Sequence, residues 1–270
     1  MKTLIAKTCA MKTALIKARV SVVVCCAALF SGTPLLPGPS NPGAAAPKRV
    51  LYITLSAGFH HQVVPLSARV LKEIGQPNGF DVTATDDVSE ISREGLKPYD
   101  ALAFYTTGEL PIADDQKQAL IDFVKSGRGF IGFHSATDTF YKWPEYGEMI
   151  GGYFDGHPWH QDVTVKVEDR GHPATKHLGT SFVISDEIYQ FRNFSRDRVH
   201  VLMSLDTLSV DLKKHGVHRT DGDFALAWCR DYGKGKVFYT ALGHEAAVWQ
   251  DQRFQNLIIG ALNWMTGRAR

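Results

Sequence analysis

From Lys48 onward the chain alternates between two hydrophobic periods, and that alternation limits it to one class of fold. Short, almost wholly apolar runs recur: Arg49 to Leu55 (RVLYITL), FDVTAT, Asp100 to Tyr105 (DALAFY) and Gly129 to Phe133. Between them lie stretches with helical spacing, namely Gln62 to Ile74, with Val63, Leu66, Val70 and Ile74 in step, and Ile112 to Ser126. Continuous apolar strands separated by amphipathic helices predict an α/β fold with a mainly parallel sheet covered on both faces. In such sheets ligands bind beyond the carboxyl ends of the strands, so residues just after each run are the first place to look for function.

The stretch Gly151 to Thr220 is less regular. It holds three strand-like runs, DVTVKVED, FVISDEIYQF and VHVLMSLD, joined by polar segments rich in His, Asp and Gly. This predicts an irregular, β-containing insertion or extension folding over the sheet edge. Regularity returns with FALAWCRDYGKGKVFYTALGH, read as two strands about the turn Tyr232 to Lys236, and ends with a helix from Arg253 to Met265. There is no internal repeat and no linker that calls for a second domain, so residues 48–268 are expected to form a single domain.

Residues 1–47 are of another kind. Lys2, Lys7, Lys12, Lys17 and Arg19 stand without an acid, followed by the apolar run Val20 to Phe30 and a Pro/Gly/Ala-rich stretch ending NPGAAAP. An 11-residue apolar run falls short of the roughly 20 needed for a membrane span and fits a signal peptide and linker. Export to the periplasm, cell surface or medium is the expectation, with no stable membrane span. Met11 begins a second good signal start, and Cys25 and Cys26 lack the small residue usual before a lipidated cysteine. Losing those five positive charges turns the formal +2 into −3, which leaves no basic patch for nucleic acid. Cys9, Cys25 and Cys26 go too, so the remainder has neither a disulfide nor a thiolate metal cluster; Cys229, in FALAWCRDY, reads as an inert buried thiol.

The histidines carry the chemical signal. All 11 follow residue 59, and most fall at strand ends or in loops, where a parallel sheet makes them converge. In SAGFHH, Ser56 and Gly58 form a turn and His61 leads a helix; the glycine spacing of the nucleotide-binding fingerprints is missing, so no nucleotide cofactor is expected. In GFHSATD an apolar strand breaks into a tight turn at His134, where a nucleophile elbow would carry Ser or Cys between small residues. Ser135 is a weak nucleophile candidate, and Asp138 either caps the next helix or acts chemically. GGYFDGHPWHQD sets His157 and His160 three residues apart near Asp155 and Asp162, a pattern that suits a divalent metal ion. The same groups would otherwise bind a polyhydroxylated ligand, with Tyr153 and Trp159 as stacking faces. In SDEIYQF, Asp186 and Glu187 are either solvated edge charges or carboxylates near histidines, one of which would serve as general base or acid once burial shifts its pKa.

Taken in order, SAGFHH, GRGFIGFHSATD, GGYFDGHPWHQ, GHPATKHLGTSFVISDEIYQF and YGKGKVFYTALGHEAAVW resemble the ThuA-like, or trehalose-utilisation, family over Lys48 to Gly267. The resemblance implies a flavodoxin-like, doubly wound sheet of the class I glutamine amidotransferase type. Amidotransferases carry Cys at the elbow, backed by a C-terminal His and Glu; here the elbow holds His134, and GHE supplies His244 and Glu245 with no thiol to activate. Amide transfer through an acyl intermediate is therefore excluded. The family is associated with sugar catabolism and with oxidised glycosides, which implies a small-molecule sugar substrate. For a 3-keto-glycoside, His134 or Glu187 would serve as base, His61 or His244 as acid, and a metal at His157 and His160 would polarise the ketone. Ser56, Asp138, Tyr153 and Trp159 would line the substrate site. Two other readings are a non-catalytic carbohydrate-binding protein, suggested by Trp143, Tyr189 and Trp249 about the mouth, and a conventional glycoside hydrolase with paired carboxylates.

Overall fold

The computed structural model describes residues 46–268, so the expected signal peptide and linker lie outside the described residues. The first half is built from β1 (Lys48–Ile53), α1 (Val64–Gly75), β2 (Phe80–Thr85), α2 (Arg93–Leu96), β3 (Ala101–Phe104), α3 (Asp114–Lys125) and β4 (Gly129–Phe133). After a 3-10 turn at His134–Thr137 come α4 (Pro144–Ile150), β5 (Tyr153–Phe154), β6 (Trp159–Val167), β7 (Ser181–Ile188), β8 (Phe191–Arg192) and β9 (His200–Leu205). The chain closes with β10 (Ala225–Tyr232), β11 (Gly235–Thr240), α5 (Ala246–Gln250) and α6 (Gln252–Thr266).

Nine strands form one sheet in the order β2-β1-β3-β4-β11-β10-β9-β6-β7. The first five are mutually parallel, with β1 flanked by β2 and β3 and β4 flanked by β3 and β11. A parallel order in which the second strand precedes the first and the third follows it is the flavodoxin-like arrangement, whose ligand crevice opens where the order reverses, between β1 and β3. Val50 to Ile53, Ala101 to Phe104 and all of β4 are buried, as central strands covered on both faces must be. A Cβ on Gly129 would meet Met265 of α6 at 2.6 Å, whereas the next residue, Phe130, packs edge-on against Tyr146 of α4. Successive residues of a strand face opposite ways, so α6 and α4 cover opposite faces.

The Gly151 to Thr220 region departs from expectation. Its strands do not fold over the sheet edge; β9, β6 and β7 continue the same sheet beyond β10, every pair antiparallel. The reason lies in the hairpin β10–β11: β11 returns parallel to β4, so β10 is antiparallel to it and presents an open edge that β9 fills. β6 also begins earlier than its alternation indicates, at Trp159, because Trp159 itself pairs with Ile188. Among the described residues only the small ribbon β5–β8 stands apart from the sheet. Among the described residues no helix is long and apolar enough to cross a membrane.

Candidate active site

Four segments that end strands of the sheet deliver side chains to one place. His61 comes from the loop after β1, His134 from the turn after β4, Glu187 from the end of β7 and His244 from the loop after β11. One donor atom of each lies within 4.8 Å of those of the other three, a grouping able to hold a metal ion. His134 Nε2 is 3.2 Å from His244 Nδ1 and 3.4 Å from Glu187 Oε2, and His244 Nδ1 is 3.3 Å from the same oxygen. The ring of His61 stands edge-on to both histidines, with centroids 5.0 and 5.2 Å away.

Local sequence explains how His134 gets there. It adopts φ 41°, a left-handed conformation uncommon outside glycine, at the point where β4 breaks into its 3-10 turn. Gly132 makes the break possible, since a Cβ there would meet Ala136, Ile150 and Tyr239 at 3.0–3.1 Å. The elbow is then fastened from three sides. The His134 carbonyl accepts from Tyr239 Oη, the Ala136 carbonyl accepts from Tyr146 Oη, and the ring of Tyr189 lies 4.1 Å from that of His134. The Ala241 carbonyl lies 2.7 Å from His134 Nδ1, which fixes the proton there and leaves Nε2 free to face the cluster.

Asp186 fastens the opposite loop. It is fully buried, and its two oxygens accept from the backbone N–H groups of Gly243 and Glu245, on either side of His244. Gly243, at φ 123°, gives its carbonyl to Tyr105 Oη and Trp249 Nε1. His244 thus sits on a loop held from both sides, although nothing in SDEIYQF shows that Asp186 binds backbone 57 residues away.

The charges are unequal. Burial, then the neighbouring His134 and His244, lowers His61 to about 3, so its imidazole is neutral at physiological pH. Burial alone would raise Glu187, but hydrogen bonds and charge interactions with His134 and His244 outweigh it and hold the carboxylate well below its ordinary range. The bond to Glu187 raises His244 against the opposing effect of burial. Burial raises both Asp186 and Asp138, opposed by backbone donors at Asp186 and by Tyr141 at Asp138.

A cavity of about 510 Å³ lies beside the cluster, lined by Phe59, His60, His61, His244 and Glu245 among others. That volume is within the range of small-molecule sites. At its rim His160 Nε2 meets Glu245 Oε1 at 2.7 Å, both side chains being about half exposed. His160, His244 and Glu245 form a second grouping of metal-competent donors.

The sequence model of the ThuA family, described as trehalose utilisation, matches residues 49–265. The chain belongs to the ThuA family. It is similar to a ThuA-like protein of Bacteroides uniformis, with 28% identity and TM-score 0.68 over 84% of this chain and 94% of that one. A ThuA-like protein of Parabacteroides merdae is similar in fold, at 20% identity and TM-score 0.64 over 82% and 90% of the two chains. A Salmonella typhimurium protein named STM1381 shares the fold at 15% identity and TM-score 0.58, over 80% of this chain and 99% of its own. No match was found among curated proteins.

Within this ThuA fold the other expected site residues are distributed differently. The metal pair is split: His157 Nδ1 addresses Glu187 Oε1 at 3.2 Å, whereas His160 turns to Glu245. Trp159 and His160 are adjacent in β6 and point to opposite faces, so Trp159 is fully buried, donating to the Asp211 carbonyl and packing on Phe224. Tyr153 is enclosed as well, its hydroxyl donating to the Trp143 carbonyl while its ring fills the space over Gly147. Neither ring is a stacking surface for a ligand. Tyr189 and Trp249 are buried likewise. Asp138 accepts from Tyr141 Oη and does not cap the following helix α4, whose N-cap position is Trp143. Ser56 makes a parallel bridge to Thr107, joining the loops after β1 and β3. Ser135 is fully buried and its Oγ has no partner, so no base activates it. Cys229 is on β10, 3.8 Å from His172 rather than in the elbow, and burial pushes its thiol up to about 12.

Proposed function

We propose that this ThuA-family protein cleaves oxidised glycosides, with 3-keto-disaccharides such as 3-keto-trehalose as the type, by proton transfer and without a covalent intermediate. The carrying observation is a buried, ionised carboxylate among three histidines, two of which, His61 and His244, line a cavity whose rim holds a His160–Glu245 pair, with no activated nucleophile in the elbow. The family description, trehalose utilisation, supports a sugar as the substrate.

In a 3-keto-glycoside the ketone acidifies the proton on C2. Removing it places the electron pair in a C2=C3 enolate; collapse of that enolate restores the ketone, forms C1=C2 and expels the glycosidic oxygen, which takes up a proton. The buried cluster is suited to face the developing enolate. Glu187 is a poor base because its proton affinity is depressed, and neutral His61 a poor acid. The rim pair suits both transfers: Glu245 takes the C2 proton, and His160, 2.7 Å from it, delivers one to the leaving oxygen. Export through residues 1–47 belongs to the same proposal, supported by their basic and apolar pattern.

Purified protein incubated with 3-keto-trehalose is expected to release glucose, and none from trehalose itself. Glu245→Gln is expected to lower kcat by about 100-fold or more. Absence of sugar release from several 3-keto-glycosides by folded protein sinks the proposal, and binding of those sugars without turnover replaces it with a carbohydrate-binding role.

A further inference from the structure

We propose that His134 Nε2, His244 Nδ1 and Glu187 Oε2 are three corners of a binding site for one divalent transition-metal ion, with His61 as the fourth donor. The three atoms form a nearly equilateral triangle with sides of 3.2, 3.3 and 3.4 Å. A tetrahedral ion with bonds of about 2.0–2.1 Å requires donor separations of roughly 3.3–3.4 Å, the spacing that the fold holds ready. Two imidazoles and a carboxylate on one face are also the donor set of borderline ions such as zinc, cobalt(II) and iron(II).

Hydrogen-bond bookkeeping gives an independent reason. With the Ala241 carbonyl beside its Nδ1, His134 presents the single atom Nε2 to both Glu187 Oε2 and His244 Nδ1, and one proton cannot lie along both contacts. A proton on His244 Nδ1 satisfies one edge of the triangle, whereas one cation satisfies all three corners. His61 adds a buried Nδ1 with no hydrogen-bond partner, an arrangement that costs free energy unless something fills it. The surroundings are those of a metal centre too. A backbone carbonyl orients His134, His157 holds the second oxygen of Glu187, and Asp186 pins the backbone on both sides of His244. These contacts place the ion in the buried group rather than at His157 and His160.

This inference deepens the proposed function, since an ion there would polarise the substrate ketone by taking its oxygen as a fifth ligand, yet it is tested separately. Metal-stripped protein is titrated with Co(II), Zn(II) and Mn(II), following bound metal per chain, thermal midpoint and the visible spectrum of Co(II). Binding of about one ion per chain is expected, with a rise in midpoint that a chelator reverses and a Co(II) spectrum of tetrahedral N/O type. Glu187→Gln is expected to weaken binding more than about tenfold, and His160→Gln to leave it unchanged. Retention of a single sharp unfolding transition by Glu187→Gln shows that the loss is not misfolding. The proposal is overturned if wild-type protein binds none of the three metals, if Glu187→Gln binds as well as wild type, or if His160→Gln is the variant that fails. Full turnover of a 3-keto-glycoside by metal-free protein overturns it and leaves the proposed function standing; a bound ion without turnover does the reverse.

Discussion

At the scale of single residues, the side chains that converge in the cluster were easier to read than those that hold them in place. His134 announces itself because an apolar strand ending in GFH has to turn, and the left-handed backbone at φ 41° shows how sharply it does so. His61 and His244 were legible for the same reason, each standing just past a strand, whereas Glu187 lies inside β7 and was legible only as one of two acids in SDEIYQF. Asp186 was not, because its partners are backbone N–H groups from a distant loop, and no side-chain pattern encodes those. Its role yields a direct expectation. Asp186→Ala removes the acceptor from two buried donors, so it should cost about 3 kcal/mol, near the upper end for unsatisfied buried groups. Measured by urea denaturation, the loss should far exceed that of Asp186→Asn, which keeps one acceptor oxygen. Equal stability of all three proteins would mean that the His244 loop does not depend on this carboxylate.

At the scale of elements, strand and helix positions follow the hydrophobic periods closely, but sheet order beyond β10 does not. Period-2 alternation tells that Asp162 to Asp169 is a strand; it says nothing of the edge that it joins, which is fixed by the direction of the β10–β11 hairpin. What secures these added strands is a polar tie between their connections. Arg196 donates to both oxygens of Glu168, just past β6, and to both of Asp223, just before β10. The bond from Arg196, opposed by burial, holds Glu168 below the ordinary glutamate range. The lowered pKa means that the folded state favours the carboxylate. Its contribution is complete above the unfolded value, about 4.3, and is lost as pH falls through the lower folded value. Arg196→Ala should therefore destabilise the protein by about 1 kcal/mol at neutral pH, a modest figure because Arg196 is 44% exposed and solvent screens the pair. The gap between variant and wild type should narrow steadily below pH 4 in denaturant titrations. A gap that is constant from pH 7 to pH 3 would assign the effect to lost packing of the Arg196 stem instead.

At the scale of the whole molecule, the site makes the two halves of the sheet interdependent. His61 and His134 come from the parallel half and Glu187 from the antiparallel half, so Glu187 is buried among histidines only when both have formed. The seam between the halves is tight: β11 pairs with β4 on one side and β10 on the other, and Trp228 Nε1 of β10 donates to the Ile150 carbonyl across it. A chain of this size is large enough to unfold in stages, and a merely appended extension would melt first. A shared core and a shared polar cluster predict the opposite. Trp159 and Trp228 report on the antiparallel half and Trp249, packed between Tyr105 and Phe254, on the parallel half. Unfolding by urea should give one transition with the same midpoint by tryptophan fluorescence and by far-UV circular dichroism, and replacing Trp143, Trp249 and Trp264 together by Phe, which leaves Trp159 and Trp228 as the reporters, should leave the two midpoints coincident. A fluorescence midpoint in that variant lying clearly below the dichroism midpoint would show that β6, β7 and β9 open on their own, and that the cluster is assembled from a rigid parallel half and a separable cover.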